Sequence, residues 1–492
     1  MIVEQTLETY FSKYKKEIIG DDLSFVGPYG EKKIIYADWT ASGRLYRGIE
    51  EKLSQIIGPY VANTHTETTL TGSAMTHAYH QAREIIKKHV NAGQDDVLIT
   101  EGSGMTGVIS KFQRILGLRI SDKYKDNIAF DKVNKPVVFV SHMEHHSNQT
   151  SWHETIAEVV VVPPNEHGLF CLENFENTVA QYAHRTLKIA SITAASNVTG
   201  IRTPFHEVAR IMHSFKGLCF VDFACSAPYV EIDMHPEDKD AYLDAVFFSP
   251  HKFLGGPASS GVLVFNKALY DNEVPDNPGG GTVTFTNPWG GHGYFDDIET
   301  REDGGTPAFM QTIRVALAIQ LKEKMGVQDI LDREHEQVSY IMKRLKKIPG
   351  LEILAGEHED RLGIFSFYIE EAHFNLVVKV LNDRFGIQTR GGCSCAGTYG
   401  HYLLHVDQIK SGEIVDLISQ GCLLDKPGWI RMSIHPTTTN EEIKFICDSI
   451  EETALNINQW KKDYIYNDKT NEYRHRNDKL DLNEFVEDWF SL

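Results

Sequence analysis

The sequence contains little cysteine, no long apolar run and no excess of positive charge. Cysteine accounts for 7 of the 492 residues, and an odd number this small indicates reduced thiols in a cytosolic setting rather than a disulfide framework. No stretch of about 18 apolar residues occurs, so we expect no membrane span. Lys and Arg total 49 against 68 Asp and Glu, a formal charge of −19. Because a generic nucleic-acid binder needs clustered cations, we expect no nucleic-acid partner.

The remaining composition is that of an ordinary globular protein, with 41% hydrophobic and 24% charged residues. This argues against a largely disordered or fibrous chain. The first residues lack a basic region followed by an apolar one, so no secretory signal is visible and we expect a cytoplasmic protein. At roughly 100–200 residues per domain, the length predicts two to four domains, or one large α/β domain with a satellite.

Apolar runs typical of buried strands alternate with amphipathic segments through the first half of the chain. This alternation predicts an α/β fold with a mostly parallel sheet of seven strands between helices. The predicted strands cover residues 97–100, 137–141, 158–162, 188–193, 218–223, 244–249 and 261–265, and the predicted helices cover 78–90, 104–118, 172–184 and 205–215.

After a Gly- and Pro-rich stretch at 271–306, the pattern changes to that of a smaller α+β domain. Its predicted helices cover 309–325, 327–347 and 374–385, and its predicted strands cover 363–367, 387–390 and 429–434. We expect an N-terminal arm at 1–30 that packs with the small domain, a large domain at 31–308 and a small C-terminal domain at 309–455. The charged and aromatic tail at 456–492 shows no clear period, and we expect it to be mobile or docked.

Ligands of such sheets bind outside the carboxyl ends of the strands, so the residues that follow each strand are candidates for a site. Lys252 follows the predicted strand 244–249, where desolvation would make its amine a nucleophile toward a carbonyl. A lone exposed loop lysine is the alternative. Asp222 ends another apolar strand and needs a cation, such as a protonated pyridine nitrogen. A helix cap is its alternative.

Two further strand ends carry polar segments. The sequence EGSGMTG at 101–107 opens a helix, and glycines there let backbone amides approach a phosphate. A glycine-rich turn alone is a weak signal. Because Asp222 and Lys252 lie at matching strand ends, we expect this turn to be the third contact of the same ligand. Three histidines lie at 142, 145 and 146 without a recognised zinc spacing. We therefore expect no metal, and favour a histidine that stacks on a planar cofactor or acts as acid or base.

Together these residues resemble the class V aminotransferase family of fold type I pyridoxal-phosphate enzymes, in particular its cysteine desulfurase and selenocysteine lyase branch. The resemblance runs from about residue 36 to about residue 450. Its most specific motifs are MEHHSN at 143–148, SNVTG at 196–200, DFA at 222–224 and SPHK at 249–252.

The resemblance implies a large cofactor-binding domain that holds pyridoxal 5'-phosphate, and a homodimer with sites at the interface. Lys252 would hold the cofactor covalently and move the substrate α-proton, and Asp222 would pair with the pyridinium nitrogen. His145 would stack on the ring, and Asn197 would lie near the phenolic oxygen. Phosphate contacts are implied for Ser103, Gly104, Met105, Ser249 and His251, and for Thr282 toward a neighbouring subunit.

The resemblance extends to the C-terminal region. Arg390 falls where the family binds the substrate α-carboxylate, a task suited to the guanidinium fork. Arg431 matches a second basic position, with a structural ion pair as the alternative. Cys395 lies five residues after Arg390, at the position of the sulfur-accepting cysteine. The Cys-x-Cys motif that it forms with Cys393 resembles the loop in the desulfurase domain of molybdenum-cofactor sulfurases. Incidental loop thiols or a partial metal motif are the alternatives.

These implications give a leading hypothesis and two rivals. The leading one is a cysteine desulfurase that moves sulfur from L-cysteine to Cys395 as a persulfide, releases alanine and passes the sulfur to an acceptor protein. Cys225 stands where the branch usually has Gln or His, and Trp39 adds a bulky indole to the N-terminal motif. Both support a class V aminotransferase, epimerase or lyase for another amino acid. A non-catalytic scaffold is the second rival, disfavoured by the intact pair Lys252 and Asp222.

Overall fold

The computed structural model describes residues 6–64, 66–125, 127–129, 131 and 133–491. The first five residues of the expected N-terminal arm and the last residue of the tail lie outside this part. The chain divides into two compact units. The large unit comprises Ala41–Asn197 and Ile201–Leu331, and the small unit comprises Met1–Thr40, Val198–Gly200 and Asp332–Leu492. The four domain limits expected above stay a proposal.

The elements are numbered in chain order. The strands are β1 Ser24–Gly27, β2 Gly30–Lys33, β3 Ile35–Tyr36, β4 Asp96–Glu101, β5 Val137–Ser141, β6 Glu158–Val162, β7 Lys188–Thr193, β8 Leu218–Asp222, β9 Ala245–Phe248, β10 Gly261–Asn266, β11 Val283–Thr286, β12 His292–Tyr294, β13 Leu351–Ile353, β14 Ile364–Ile369, β15 Ile387–Gln388, β16 Arg390–Gly392, β17 Trp429–Ser433, β18 Tyr464–Asn467 and β19 Glu472–His475. The α-helices are α1 Leu7–Lys15, α2 Arg47–Glu51, α3 Leu70–His89, α4 Met105–Ile115, α5 Asp122–Lys125, α6 His146–His153, α7 Leu172–Gln181, α8 Phe205–Ser214, α9 Ile298–Arg301, α10 Phe309–Met325, α11 Val327–Leu345, α12 Phe374–Val380, α13 Gly397–Leu403, α14 Gln408–Ser419, α15 Asn440–Trp460 and α16 Leu482–Glu487.

The large unit is built on a seven-stranded sheet with the order β4-β10-β9-β8-β7-β5-β6. Strands β5 to β9 pair in parallel, and β10 runs antiparallel to both of its neighbours. All residues of β5 and β9 are buried, as expected where helices cover both faces of a sheet. The predicted α/β fold with a mostly parallel seven-stranded sheet is confirmed.

The order of the strands brings the candidate residues to one edge of this sheet. Strands β4, β5, β7, β8 and β9 all point in the same direction, so their carboxyl ends lie at a common edge. Asp222 is the last residue of β8, and the segments that follow the other four strands contain the glycine-rich turn, His145, Asn197 and Lys252. The fold therefore gathers residues that are far apart in the sequence, from Ser103 to Lys252.

The small unit contains a four-stranded antiparallel sheet with the order β13-β14-β17-β16. Its core includes Phe365, Val377, Ile430 and Ile446, all at most 1% exposed. The predicted strand 387–390 is wrong as a single strand. It is interrupted at Thr389, so that β15 pairs with β3 while β16 pairs with β17. Arg390 therefore begins a strand rather than ending one.

The C-terminal tail is more regular than the sequence predicts. Strands β18 and β19 form an antiparallel hairpin from Tyr464 to His475, and α16 follows. Tyr464 and His475 are buried, and their rings meet edge to face with centroids 5.1 Å apart. The tail is therefore held by aromatic packing, which no apolar period reveals. Among the helices of the described ranges, none is both long and apolar enough to cross a membrane.

Candidate active site

Asp222, the last residue of β8, is a buried carboxylate with a positive charge nearby. The residue is 2% exposed, and its Oδ1 accepts a hydrogen bond from the backbone N–H of Ala224 at 2.7 Å. Burial raises the pKa of Asp222 to about 6, while the Ala224 N–H and the charge of Lys252 act in the opposite direction. A cation that binds at this carboxylate would offset the cost of its burial.

Lys252 lies in a short 3₁₀ turn, Pro250–Lys252, that follows β9. The turn is fixed by the Lys252 N–H, which donates to the Ser249 carbonyl at 3.1 Å, and by the Gly43 N–H, which donates to the His251 carbonyl at 2.9 Å. Lys252 is half-buried. Burial lowers the pKa of His251 to about 4, and the charge of Lys252 acts in the same direction. His251 is therefore a neutral imidazole near neutral pH.

The turn before α4 has the features of an anion-binding site. The Ser249 hydroxyl accepts from the Met105 N–H at 2.8 Å, which joins the end of β9 to the first residue of α4. Gly104 precedes this helix without a side-chain cap, and a Cβ there would lie 3.2 Å from Ser249 Oγ and 3.4 Å from the His251 ring. Ser103 is exposed beside them. The backbone amides at this helix start can thus be approached closely by a phosphate.

His145 and Asn197 follow β5 and β7. His145 caps α6, because its Nδ1 accepts from the Ser147 N–H at 3.1 Å. The Ser147 hydroxyl bonds to Thr106 of α4 at 2.7 Å, so the first turns of α4 and α6 are adjacent. Asn197 is buried at 6% exposure. The predicted stacking of His145 and the predicted contact of Asn197 stay predictions.

Thr282 lies inside its own loop. It is fully buried, and its hydroxyl donates to the Gly279 carbonyl at 2.7 Å and accepts from the Gly279 N–H at 3.2 Å. The hydroxyl thus stabilises the turn before β11. Its predicted contact with the phosphate of a neighbouring subunit stays a prediction.

Glu144 is a buried carboxyl to which sequence reasoning gave no role. Its Oε1 accepts from the Ser141 hydroxyl at 2.6 Å and from the Thr193 N–H at 2.9 Å, and its Oε2 accepts from the Asn148 amide at 2.7 Å. Burial raises its pKa to about 7, these donors oppose that shift, and the charge of Asp222 adds to it. An acidic residue three residues after an apolar strand is a sequence signal for a buried carboxyl, as it is for Asp222 at the end of β8.

In the small unit, Asp38 joins the two candidate arginines. Arg390 and Arg431 pair across β16 and β17. The Asp38 carboxylate accepts from Arg390 Nε at 3.0 Å and from Arg431 at 2.8 Å. The Arg431 side chain is 4% exposed and that of Arg390 is 51% exposed. Arg431 therefore has the structural ion pair given as its alternative, and Arg390 is the more open of the two to a substrate.

The Cys-x-Cys motif forms a tight turn between β16 and α13. The Ala396 N–H donates to the Cys393 carbonyl at 3.0 Å. Cys395 is exposed and Cys393 is half-buried. An exposed cysteine in such a turn can be reached by a sulfur donor or acceptor.

The two positions that depart from the family pattern are both buried. The Cys225 thiol donates to the Ala195 carbonyl at 3.0 Å in the large unit. Trp39 stacks on His435 in the small unit, with ring centroids 4.3 Å apart, and its indole N–H donates to the Tyr36 carbonyl at 3.1 Å. Both side chains thus contribute to packing within their own unit.

The fold is that of the fold type I pyridoxal-phosphate enzymes. The sequence profile of the family described as aminotransferase class-V matches residues 35–446, which is most of the chain. The protein belongs to the class V aminotransferase family, a family of pyridoxal-phosphate-dependent enzymes. The predicted family is therefore confirmed.

Several similar curated proteins and solved structures are named cysteine desulfurases. The chain is 29% identical to a probable cysteine desulfurase of Halalkalibacterium halodurans over 74% of its length and 84% of that protein. It is 28% identical to one of Staphylococcus epidermidis, over 77% and 87%. The apo structure of cysteine desulfurase from Thermococcus onnurineus superimposes with a TM-score of 0.71 at 21% identity, over 90% of this chain and 98% of that one. The cysteine desulfurase CsdA of Escherichia coli gives a TM-score of 0.67 at 21% identity, over 86% and 94%.

Proposed function

We propose that the protein is a pyridoxal-phosphate-dependent cysteine desulfurase. The observation that carries the proposal is the buried carboxylate of Asp222, on which the charge of Lys252 acts, at the carboxyl edge of a parallel sheet. The family supports the cofactor, and the names of the curated relatives support the activity.

The residues of the large unit fit pyridoxal phosphate. When bound, this cofactor supplies a ring that accepts the electrons released as the substrate loses its α-proton. Lys252 would hold it covalently and then move that proton, and Asp222 would keep the ring nitrogen protonated. Its phosphate would be held at the cradle formed by Gly104, Met105 and Ser249 with His251 and Ser103. His145 would face the ring, and Asn197 would bind its phenolic oxygen.

The substrate and the sulfur step involve residues of the small unit. Arg390 would bind the α-carboxylate of L-cysteine with its guanidinium group. The Cys395 thiolate would attack the sulfur of the substrate, so that the bond between this sulfur and its carbon breaks and a persulfide forms on Cys395. The remaining three-carbon fragment would take up a proton at the carbon that lost the sulfur, regain its α-proton through Lys252 and leave as alanine. We further propose that the protein is a cytoplasmic homodimer that passes this sulfur to an acceptor protein.

A class V enzyme for another amino acid is the second candidate, and Cys225 favours it. The branch usually has Gln or His at this position, whereas the Cys225 thiol donates to the Ala195 carbonyl. A thiol is a weaker donor than an amide or an imidazole. The phenolic oxygen of the cofactor would therefore be bound by Asn197 without a second strong donor at position 225, which would alter the electron demand of the ring.

An amino-acid panel separates the two candidates. The protein is loaded with pyridoxal phosphate, and alanine, sulfide and oxo-acid products are measured for each amino acid. The desulfurase proposal predicts alanine and persulfide from L-cysteine only. Transamination or racemisation of another amino acid at a higher rate would contradict it. In Lys252→Ala, borohydride should no longer fix the cofactor to the chain, whereas a variant of the exposed Lys267, Lys267→Ala, should behave like wild type.

A further inference from the structure

The turn that carries Cys393 and Cys395 has an uncommon backbone. Its two central residues, Ser394 and Cys395, have φ values of 51° and 56°. Positive φ at both central positions is typical of type I′ turns, which normally use Gly, Asn or Asp. Two L-residues with side chains hold this conformation only where the surroundings impose it. The turn is therefore specified by its context.

Buried contacts fix the centre and the end of this turn. The Ser394 hydroxyl accepts from the Trp429 indole N–H at 3.2 Å, and Trp429 is completely buried in β17. Ala396, which closes the turn, is also completely buried. The two cysteines are thus held on a fixed backbone in different environments, one exposed and one half-buried.

The spacing allows sulfur to pass between these two thiols. Consecutive Cα atoms are 3.80 Å apart, so the Cα atoms of Cys393 and Cys395 are at most about 7.6 Å apart. The left-handed residue between them shortens this separation. A persulfide on one cysteine extends its reach by the length of an S–S bond, about 2.05 Å.

We propose that Cys395 and Cys393 form a two-thiol relay, in which exposed Cys395 takes up a sulfane sulfur and half-buried Cys393 then holds it. This relay rests on the persulfide of the proposed function. The Cys393 thiolate attacks the terminal sulfur of the Cys395 persulfide, a new S–S bond forms on Cys393, and the bond to Cys395 Sγ breaks. Cys395 leaves as a thiolate and takes the proton that Cys393 lost. The transferred sulfur keeps its oxidation state, so no oxidant or reductant is consumed.

The relay is tested with inorganic polysulfide, which loads exposed thiols without cofactor or L-cysteine. Its failure is therefore distinguishable from failure of the proposed function. After alkylation, trypsin cleavage at Arg390 and Lys410 releases both thiols in one peptide, residues 391–410, and fragmentation locates the extra sulfur. Exposed Cys422 lies on another peptide and reports general loading.

In wild type, we expect the extra sulfur first on Cys395 and later on Cys393. In Cys395→Ser, labelling of Cys393 should fall about tenfold, because the half-buried thiol is less accessible to the reagent. In Cys393→Ser, Cys395 should load as in wild type but lose its sulfur faster to dithiothreitol. Equal labelling of Cys393 with and without Cys395, or no label on Cys393 in wild type, would overturn the relay.

Two variants of Ser394 test the role of the turn. Ser394→Gly and Ser394→Val both remove the hydroxyl that accepts from Trp429, but only glycine adopts positive φ readily. We expect Ser394→Gly to transfer sulfur like wild type and Ser394→Val to transfer it about tenfold more slowly. Equal rates in these two variants would overturn the assignment of the transfer to this turn.

Discussion

At the scale of single residues, charge pairing decides which candidates can serve a substrate. Asp222 is buried with one backbone donor and the charge of Lys252 nearby. Asp38, in contrast, holds Arg431 in a buried ion pair while also touching the exposed Arg390. We infer that Asp222 has a chemical role, that Arg431 has a structural role, and that Arg390 is the arginine available for a carboxylate.

Replacing Asp222 by asparagine should remove activity but not the fold. In Asp222→Asn, the side-chain amide oxygen can still accept from the Ala224 N–H, but the amide carries no charge to pair with a pyridinium nitrogen. We expect amino-acid turnover to fall about 100-fold or more, in the range found when one preorganised electrostatic partner is removed. The urea midpoint of the cofactor-free protein should stay equal to or above that of wild type near neutral pH, because burial raises the pKa of Asp222 to about 6 and so disfavours its charged form in the folded protein. Unchanged turnover would contradict the assigned role.

Replacing Asp38 by asparagine should destabilise the protein more than replacing Arg390 by glutamine. Asp38→Asn removes the charge that pairs with the buried Arg431 guanidinium, and breaking a buried pair in this way costs about 3–5 kcal/mol. Arg390→Gln removes a partner that is half in solvent, for which about 0–1 kcal/mol is typical. Denaturant unfolding of both variants measures the difference. An equal loss of unfolding free energy in the two variants would contradict the inference that Asp38 stabilises the buried Arg431 guanidinium.

Arg390→Gln also separates structure from substrate binding. If Arg390 binds the α-carboxylate, the variant should raise KM for L-cysteine while its unfolding midpoint changes little. An unchanged KM would assign the carboxylate to another residue.

At the scale of elements, Glu144 connects two neighbouring strands of the large sheet. It follows β5 and accepts from Ser141 at the end of β5 and from Thr193 at the end of β7. It also accepts from Asn148 of α6, which donates in turn to the Ser191 carbonyl of β7. This network fixes the segment between β5 and α6, on which His145 stands. Glu144 is therefore a positioning residue for His145.

Glu144→Gln should lower stability in a way that depends on pH. The variant leaves at least one buried donor without an acceptor, which costs about 1–3 kcal/mol. Because the folded pKa of Glu144 is raised to about 7, its contribution to wild-type stability is present below its unfolded pKa and is lost as pH rises through 7. The difference between the two proteins should therefore be larger at pH 5 than at pH 8.

Chemical unfolding at several pH values measures this difference. Exposed Glu176, on α7, provides the control, and Glu176→Gln should match wild type at every pH. A gap between Glu144→Gln and wild type that widens from pH 5 to pH 8 would contradict the raised pKa.

Most strands of the large sheet were predictable because they are buried on both faces and therefore form continuous apolar runs. The predicted bounds of β5, β6 and β7 match the structure, and α10 also matches. The start of α3 was predicted at residue 78 but lies at Leu70, where the Thr69 side chain accepts from the Gly72 N–H. That first turn is polar and partly exposed, so hydrophobic periodicity does not reveal it.

The sequence pattern did not predict those features that depend on pairing between segments far apart in the chain. The interruption between β15 and β16 follows from pairing with different partners, β3 and β17, which a local pattern does not contain. The hairpin of β18 and β19 depends on packing of Tyr464 and His475. The left-handed conformation of the turn at 394–395 likewise depends on Trp429 and Ala396, which are fixed by the rest of the small unit.

At the scale of the whole molecule, family membership and the residues at the strand ends both support pyridoxal phosphate as the proposed cofactor. The charge of −19 coexists with Lys252 and Arg390 at the positions proposed for an anionic cofactor and a substrate carboxylate. The few cysteines include the exposed Cys395, at the position proposed for sulfur uptake, and the buried Cys225, which distinguishes this chain from the usual pattern of the branch. Cys395 therefore supports the proposed desulfurase, whereas Cys225 supports the second candidate, a class V enzyme for another amino acid.

The central claim is that Cys395 accepts sulfur from L-cysteine. The most direct measurement follows alanine release and protein persulfide in the cofactor-loaded enzyme with L-cysteine, for wild type, Cys395→Ser and the control Cys422→Ser, whose thiol is also exposed. We expect wild type and Cys422→Ser to form both products at the same rate, and Cys395→Ser to form neither above background. Alanine and persulfide formed by Cys395→Ser at the wild-type rate would contradict the account.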